Sequence, residues 1–140
     1  MRYIVSNTEM KAIEQYTINN IGIPSVVLME RAAMSVRDEI ISVLTKNDKV
    51  LVVCGVGNNG ADGLAVARLL HEAGIFCAVY LIGDEDKATR EWKLQKNIID
   101  NIVDDNLRIV TTPDFNEYNI IVDAIFGIGL TRNVEGVFKT

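Results

Sequence analysis

The chain has 140 residues, with 14 Lys and Arg against 19 Asp and Glu, and 49% of its residues are hydrophobic. This composition is typical of one globular domain, here over residues 1–140, and the length suffices to bury a core without disulfides or a structural metal. The net charge of −5 argues against a surface for nucleic acid. No apolar run approaches the roughly 20 residues of a membrane helix. A small molecule is therefore the expected ligand, with no nucleic acid and no membrane as partners.

The two cysteines, Cys54 and Cys77, each lie inside an apolar run and not in a ligand-spaced cluster. Buried, reduced thiols are the favoured interpretation, so neither a zinc site nor a disulfide framework is expected. The first residues contain no apolar signal core. Together these features predict a cytoplasmic protein.

Two helices are predicted ahead of the first strand. Residues 6–9, Ser-Asn-Thr-Glu, match a capping box and predict a helix to about residue 19, with Met10 and Ile13 on its inner face. Ser25 is expected to cap a second helix, which extends to about residue 45 because apolar side chains recur at helical spacing.

Strands and helices alternate along the rest of the chain. Strands are predicted over residues 49–54, 75–82, 107–110 and 119–126, and helices over residues 63–73 and 86–102. This alternation implies right-handed crossovers and a parallel sheet with helices on both faces. The predicted fold class is α/β, a Rossmann-like three-layer α/β/α arrangement with a mainly parallel sheet, preceded by an N-terminal helical pair.

A glycine-rich turn follows the first strand directly. Residues 55–60, Gly-Val-Gly-Asn-Asn-Gly, fit the spacing G-x-G-x-x-G between a strand and a helix, where glycines let the backbone approach a phosphate. The alternative is a tight turn without a ligand. Asp62 would repel a bare pyrophosphate unless a cation were bound, although it could instead stabilise the helix start. An ordinary dehydrogenase also has an acidic residue at the end of the second strand, where Asp84 is only a loose candidate.

A second polar group lies in the last predicted strand. Asp123 follows Val122 in an apolar run, where a carboxylate is costly without a partner. Since parallel strands share one crevice at their carboxyl ends, Asp123 is expected near Asn59, where both could bind a hard cation. Arg132 would suit a phosphate. The alternative places Asp123 on a neighbouring turn and Arg132 in solvent. Glu30 and Arg31 either form a solvated pair or reach a partner or the crevice, and their spacing does not decide between these alternatives.

Three segments carry a resemblance to a known family. They are L-M-E-R-A-A at residues 28–33, C-G-V-G-N-N-G-A-D-G-L-A-V-A-R-L-L at residues 54–70 and V-D-A-I-F-G-I-G-L-T-R at residues 122–132. The sequence resembles the YjeF N-terminal domain family, the NAD(P)H-hydrate epimerases, over nearly its whole length. Family sequences usually have glycine at the position of Ala61 and a small polar residue at that of Ile128.

The resemblance implies an isomerase that interconverts the R and S epimers of hydrated NADH and NADPH, as part of nicotinamide nucleotide repair. It implies a potassium ion held by Asn59 and Asp123. The substrate contacts that it implies are Asn58, Asn59, Gly60, Ala61 and Asp62, together with Gly127, Ile128, Gly129, Leu130, Thr131, Arg132 and Asn133.

One family feature is missing from the 140 residues. Family members carry an Asp-x-Pro-Ser-Gly segment with the acid/base aspartate, whereas the only prolines here are Pro24 and Pro113. The chain is therefore expected to be truncated at its C-terminal end, with the catalytic aspartate beyond Thr140. A homo-oligomer is also expected. The resemblance leaves two alternatives for the parent, which either carries an ADP- or ATP-dependent dehydratase domain or is the epimerase alone. The alternative function is a non-catalytic nucleotide-binding or protein-interaction module of the same fold.

Overall fold

Helices and parallel strands alternate in the computed structural model, which describes residues 3–131 and 133–139. The longer elements are α1 (Asn7–Tyr16), α2 (Ser25–Val43), β1 (Val50–Cys54), α3 (Asn58–Glu72), β2 (Cys77–Leu81), α4 (Arg90–Ile102), β3 (Leu107–Val110) and β4 (Ile120–Ala124). A π-helical turn covers Thr17–Ile21, and short 3₁₀ turns cover Glu85–Lys87, Phe115–Glu117 and Gly136–Phe138. Within the described ranges, no helix is both long enough and apolar enough to cross a bilayer.

The four strands form one parallel sheet in the order β3-β2-β1-β4. Strand β1 is central, and all five of its residues are buried, as expected for an uninterrupted apolar strand with a parallel neighbour on each side. Val53 of β1 is in register with Asp123 of β4. The carboxyl ends of β1, β2 and β4 therefore meet at one edge of the sheet.

The main core lies between one face of the sheet and the helices α2, α3 and α4. Helix α3 can lie close to the sheet because residue 63 is glycine: a Cβ there would stand 2.5 Å from Cβ of Ala124 and 2.8 Å from Sγ of Cys54. A smaller cluster of Leu51, Val53 and Ala78 covers the opposite face and includes no residue of α1 to α4. The predicted α/β class, with a parallel sheet and a preceding helix, is confirmed. The sequence also predicted helices on both faces of the sheet, whereas the helices of the described residues cover one face.

The first helix differs from the prediction in its packing. Its capping box forms, since the Ser6 side chain accepts from the Glu9 amide and Glu9 accepts from the Ser6 amide. However, α1 ends at Tyr16, none of its residues is buried, and Met10 and Ile13 are 40% and 50% exposed. The predicted inner face is therefore uncovered by the described part of the chain. Local capping is sufficient to start this helix, but it does not provide a surface for its apolar side to pack on.

Three predicted helix starts need correction, among them that of α4, which begins at Arg90, four residues after the predicted start. Helix α3 begins at Asn58, five residues before the predicted start, with Gly57 in extended conformation as its N-cap. Ser25 is the first residue of α2 and not its N-cap, which is Pro24, and the Ser25 hydroxyl donates to Oε1 of Glu91 at 2.8 Å. That bond ties α2 to the beginning of α4. The cap of α4 is Thr89, whose side chain accepts from the Trp92 amide.

Candidate functional site

A cleft of about 940 Å³ opens at the carboxyl ends of β1, β2 and β4. Its walls come from the glycine turn after β1, the segment between β2 and α4, the loop after β4 and the N-terminal helices. Cavities of this size accommodate organic ligands of a few hundred daltons or more. Because the strand ends come from different parts of the chain, the cleft exists only once the sheet has formed.

The start of α3 presents unpaired backbone amides to this cleft. The Ala61 amide donates to the Gly57 carbonyl at 3.0 Å, so the amides of residues 58–60 precede the first hydrogen-bonded turn. Asn58 and Asn59 line the cleft. The positive end of a 15-residue helix and these donors favour an anionic group, such as a phosphate, at this position.

Gly60 is what allows the turn to fold so tightly. A Cβ at residue 60 would lie 2.6 Å from the carbonyl carbon of Gly55, which is incompatible with the observed backbone. Gly60 and Ala61 are both buried and lie outside the lining of the cleft. Gly60 therefore has a structural role in forming the turn, while the predicted substrate contacts at Gly60 and Ala61 stay predictions.

The loop after β4 forms the facing wall. Residues 125–131 line the cleft, and a Cβ at Gly127 would lie 3.2 Å from Cβ of Asn59, so the two predicted loops touch. This contact brings Asn58, Asn59 and Asp62 together with Gly127, Ile128, Gly129, Leu130 and Thr131 around one cavity.

The family assignment follows from the comparison of the whole sequence. Residues 25–140 match the family model described as YjeF-related protein N-terminus. The chain belongs to this family. Its curated relatives include the NAD(P)H-hydrate epimerase of Limosilactobacillus fermentum, which is 45% identical over 137 residues, covering 97% of this chain and 64% of the relative. That of Limosilactobacillus reuteri is 47% identical over 139 residues, covering 96% and 63%.

A solved structure agrees with the assignment. The crystal structure of yeast ynu0, YNL200c, aligns with a TM-score of 0.82 at 25% identity, covering 99% of this chain and 62% of the yeast chain. This YjeF-related domain thus spans a little under two thirds of the length of these relatives.

Asp62 is the carboxylate of the YjeF-related domain whose chemistry the cleft changes most. Burial and, to a lesser extent, the charge of the nearby Glu14 carboxylate raise the pKa of Asp62 from 3.8 to about 6. Its side chain makes no hydrogen bond to any residue in the ranges 3–131 and 133–139. Asp62 lies in the second turn of α3 and not at the helix start, because α3 begins at Asn58. The group is able to hold a proton near neutral pH or to attract a cation.

Asp123 lies in a different environment from the one predicted. The residue is exposed, its Oδ1 accepts from the Ile125 amide at 3.0 Å, and it is outside the lining of the cleft. Among the four described strands, β4 lies at the edge of the sheet, and the Asp123 carboxylate is not buried there. The bond to Ile125 is the alternative raised from the sequence, an aspartate held by the neighbouring turn.

Potassium remains compatible with the donor atoms of this domain. The amide oxygen of Asn59 and the carboxylate of Asp123 are hard oxygen donors, which suit such a cation. Asn59 lies at the start of α3, just after β1, and Asp123 lies in β4, the strand next to β1. Among the described residues, no cluster of three or more His, Cys, Asp or Glu side chains is suitable for a metal.

The described part of the chain places neither of the last two predicted substrate contacts in the cleft. Asn133 is exposed and outside the lining, and Arg132 lies outside the described residues.

Several cleft residues were not predicted from the sequence. The N-terminal segment contributes Lys11, Glu14 and Ile18, and the segment after β2 contributes Asp84 and Lys87. Only Asp84 had a signal, its place just beyond the second strand.

The uncertainty about Glu30 is resolved by its neighbours. Glu30 forms an ion pair with Arg68 of α3, which also pairs with Glu72 at 2.8 Å. Glu30 therefore links α2 to α3 and does not line the cleft, and Arg31 is exposed.

Proposed function

We propose that this YjeF-related domain binds hydrated NADH and NADPH and belongs to an enzyme that interconverts their R and S epimers, in nicotinamide nucleotide repair. The observation that carries the proposal is the contact between Gly127 and Asn59, which sets the free amides at the start of α3 opposite the loop after β4. A dinucleotide needs both an anion site for its phosphates and a long cavity. The relatives named as NAD(P)H-hydrate epimerases support the same ligand.

The reaction needs more than binding. Inverting a ring carbon that carries a hydroxyl group requires a positioned acid/base group, and such a group contributes about 10²–10⁴ in rate. By the family resemblance this group is the aspartate of the Asp-x-Pro-Ser-Gly segment, which these 140 residues do not contain. We therefore assign Asp62 to ligand binding and expect the 140 residues alone to bind the nucleotide without appreciable epimerisation.

The test compares conversion rates. The R-to-S rate of hydrated NADH is followed by chromatography, above its spontaneous background, for the 140 residues and for a version extended with a relative's remaining segment. We expect conversion only by the extended version. Full activity of the 140 residues would place the proton carrier inside them, and loss of that activity in Asp62→Asn would identify it. An extended version that binds nucleotide but never converts it would favour the non-catalytic module.

We also propose that Asn59 and Asp123 hold a potassium ion when nucleotide binds. A bound cation would offset the negative charge that Asp62 and the phosphates bring to the same turn. The substitution Asp123→Asn keeps an oxygen that can accept from the Ile125 amide, so the β4 turn should persist. It should reduce the extra thermal stabilisation that NADP⁺ gives in potassium chloride relative to tetramethylammonium chloride.

Asp105→Asn provides the control for this experiment, because Asp105 is fully exposed beyond the cleft. It makes the same change of charge and should leave the potassium response as it is in the native chain. An unchanged response in Asp123→Asn would refute the cation assignment.

We propose further that the parent protein is a cytoplasmic homo-oligomer and that a dehydratase consumes its product. The exposed apolar side chains of α1, among them Met10, Ile13 and Tyr16, support self-association, because uncovered apolar surface favours contact with another chain. Cys54 and Cys77 are both buried free thiols, which agrees with a reducing compartment. Sedimentation of the parent protein tests the oligomer.

A further inference from the structure

The segment between β2 and α4 lies directly beside the glycine turn. The Ile82 amide donates to the Cys54 carbonyl at 2.9 Å, and the Thr89 amide donates to the Val56 carbonyl at 3.1 Å. Between these two bonds, a Cβ at Gly83 would lie 3.2 Å from Cγ1 of Val56. Residues 82–89 are therefore held against the turn at both ends, and the side chains between them project from a fixed base.

Two charged side chains of this segment line the cleft. Asp84 and Lys87 form an ion pair with 3.2 Å between Oδ2 and Nζ, and their side chains are 51% and 80% exposed. The other oxygen of Asp84, Oδ1, accepts from the Asp86 amide at 3.1 Å, which fixes the direction of the carboxylate. An exposed pair of this kind contributes little to stability, so a ligand can separate it at low cost.

The position of the pair indicates what it would contact. In parallel α/β sheets that bind dinucleotides, the pyrophosphate lies on the glycine turn and an acidic residue beyond the second strand accepts from the ribose 2′-hydroxyl. A cation near that residue accommodates a 2′-phosphate. The same two kinds of group occur here beyond β2, where the Asp84 carboxylate and the Lys87 ammonium line the cleft in contact with each other.

We propose that Asp84 and Lys87 form the subsite for the 2′ position of the adenosine ribose and allow the domain to accept both NADH-type and NADPH-type dinucleotides. Asp84 accepts from the free 2′-hydroxyl of the first type. Lys87 turns from Asp84 to the 2′-phosphate of the second type and offsets the repulsion between that phosphate and the carboxylate. This inference rests on the proposed binding of a dinucleotide in the cleft. It adds the residues that contact the 2′ position in each of the two forms.

The test measures NAD⁺ and NADP⁺ binding by isothermal titration calorimetry in potassium buffer. Lys87→Ala should weaken NADP⁺ binding about tenfold, the usual effect of losing one charge-assisted hydrogen bond, and NAD⁺ binding less than about twofold. Asp84→Asn should weaken NAD⁺ binding about fivefold and leave NADP⁺ binding unchanged or tighter, because a negative charge beside the phosphate is gone.

Both variants should fold, since Lys87 is exposed and an asparagine at residue 84 still accepts from the Asp86 amide. Lys93→Ala is the matched control, an exposed lysine of α4 outside the cleft lining, and should leave both affinities unchanged.

Opposite shifts in the ratio of the two affinities would support the subsite, because a merely structural role would change both affinities together. Equal changes for the two nucleotides, or none, would refute the subsite while leaving the proposed function in place. A native chain that binds neither NAD⁺ nor NADP⁺ would refute the subsite, and the conversion assay with hydrated NADH would then decide the proposed function separately.

Discussion

Replacing Asp62 by asparagine should stabilise the folded protein, and the gain should depend on pH. Burial raises the pKa of Asp62 from 3.8 to about 6, so the folded state disfavours the charged carboxylate. Each unit of such a shift corresponds to about 1.4 kcal/mol. Because Asp62 remains partly exposed to water, which screens the effect, we expect about 1–2 kcal/mol and not the full value. For a domain of this size that gain corresponds to about 3–7 °C in Tm.

The direction with pH follows from proton binding. Between pH 3.8 and about 6 the folded state binds more protons at Asp62 than the unfolded state does, so the stability of the native chain falls as pH rises through this window. Above about pH 6 the free-energy cost of the ionised Asp62 carboxylate is fully present, and below pH 3.8 this cost disappears. Asparagine cannot ionise, so the advantage of Asp62→Asn should be largest at pH 8 and vanish near pH 4.

The difference in stability between the native chain and Asp62→Asn is measured by thermal and urea unfolding across pH 4–8, without nucleotide or potassium. Glu14→Gln should give a smaller gain at pH 8, because the Glu14 charge is the lesser cause of the raised pKa of Asp62. Asp105→Asn is the control for a surface charge. A gain at Asp62 that is equal at pH 4 and pH 8, or no gain at pH 8, would show that the carboxylate is not disfavoured in the cleft.

Two further predictions concern packing around β1. Gly60→Ala should destabilise the fold by about 3 kcal/mol in urea unfolding, because its Cβ meets the Gly55 backbone. In Gly57→Ala the added Cβ would have no atom within 4 Å, so the loss of folding stability should be much smaller. Equal losses of stability in the two variants would contradict the steric argument. Burial raises the pKa of Cys77 to about 12 and that of Cys54 further, so neither thiol should react with a disulfide reagent at pH 8 until the protein unfolds. Fast labelling of native protein would refute their burial.

Local features were predictable because their causes lie within a few residues of each other. The apolar run of β1 predicts a buried central strand, and the capping box at Ser6 predicts a helix start. Gly74 after α3 adopts the left-handed conformation that is common after a helix, with φ of 76°. The glycine turn likewise follows from glycine spacing directly after a strand.

The sequence predicted that the segments after β1 and β4 share one crevice, but the details of the cleft depend on which strands are neighbours, and the local sequence does not determine that order. The order β3-β2-β1-β4 sets Asp84 beside the glycine turn and Gly127 against Asn59, although these residues are far apart in the chain. It also leaves Asp123 on an edge strand, where a carboxylate that looked costly in the sequence is exposed. The raised pKa of Asp62 has the same origin, since desolvation and the Glu14 charge act across space and not along the chain.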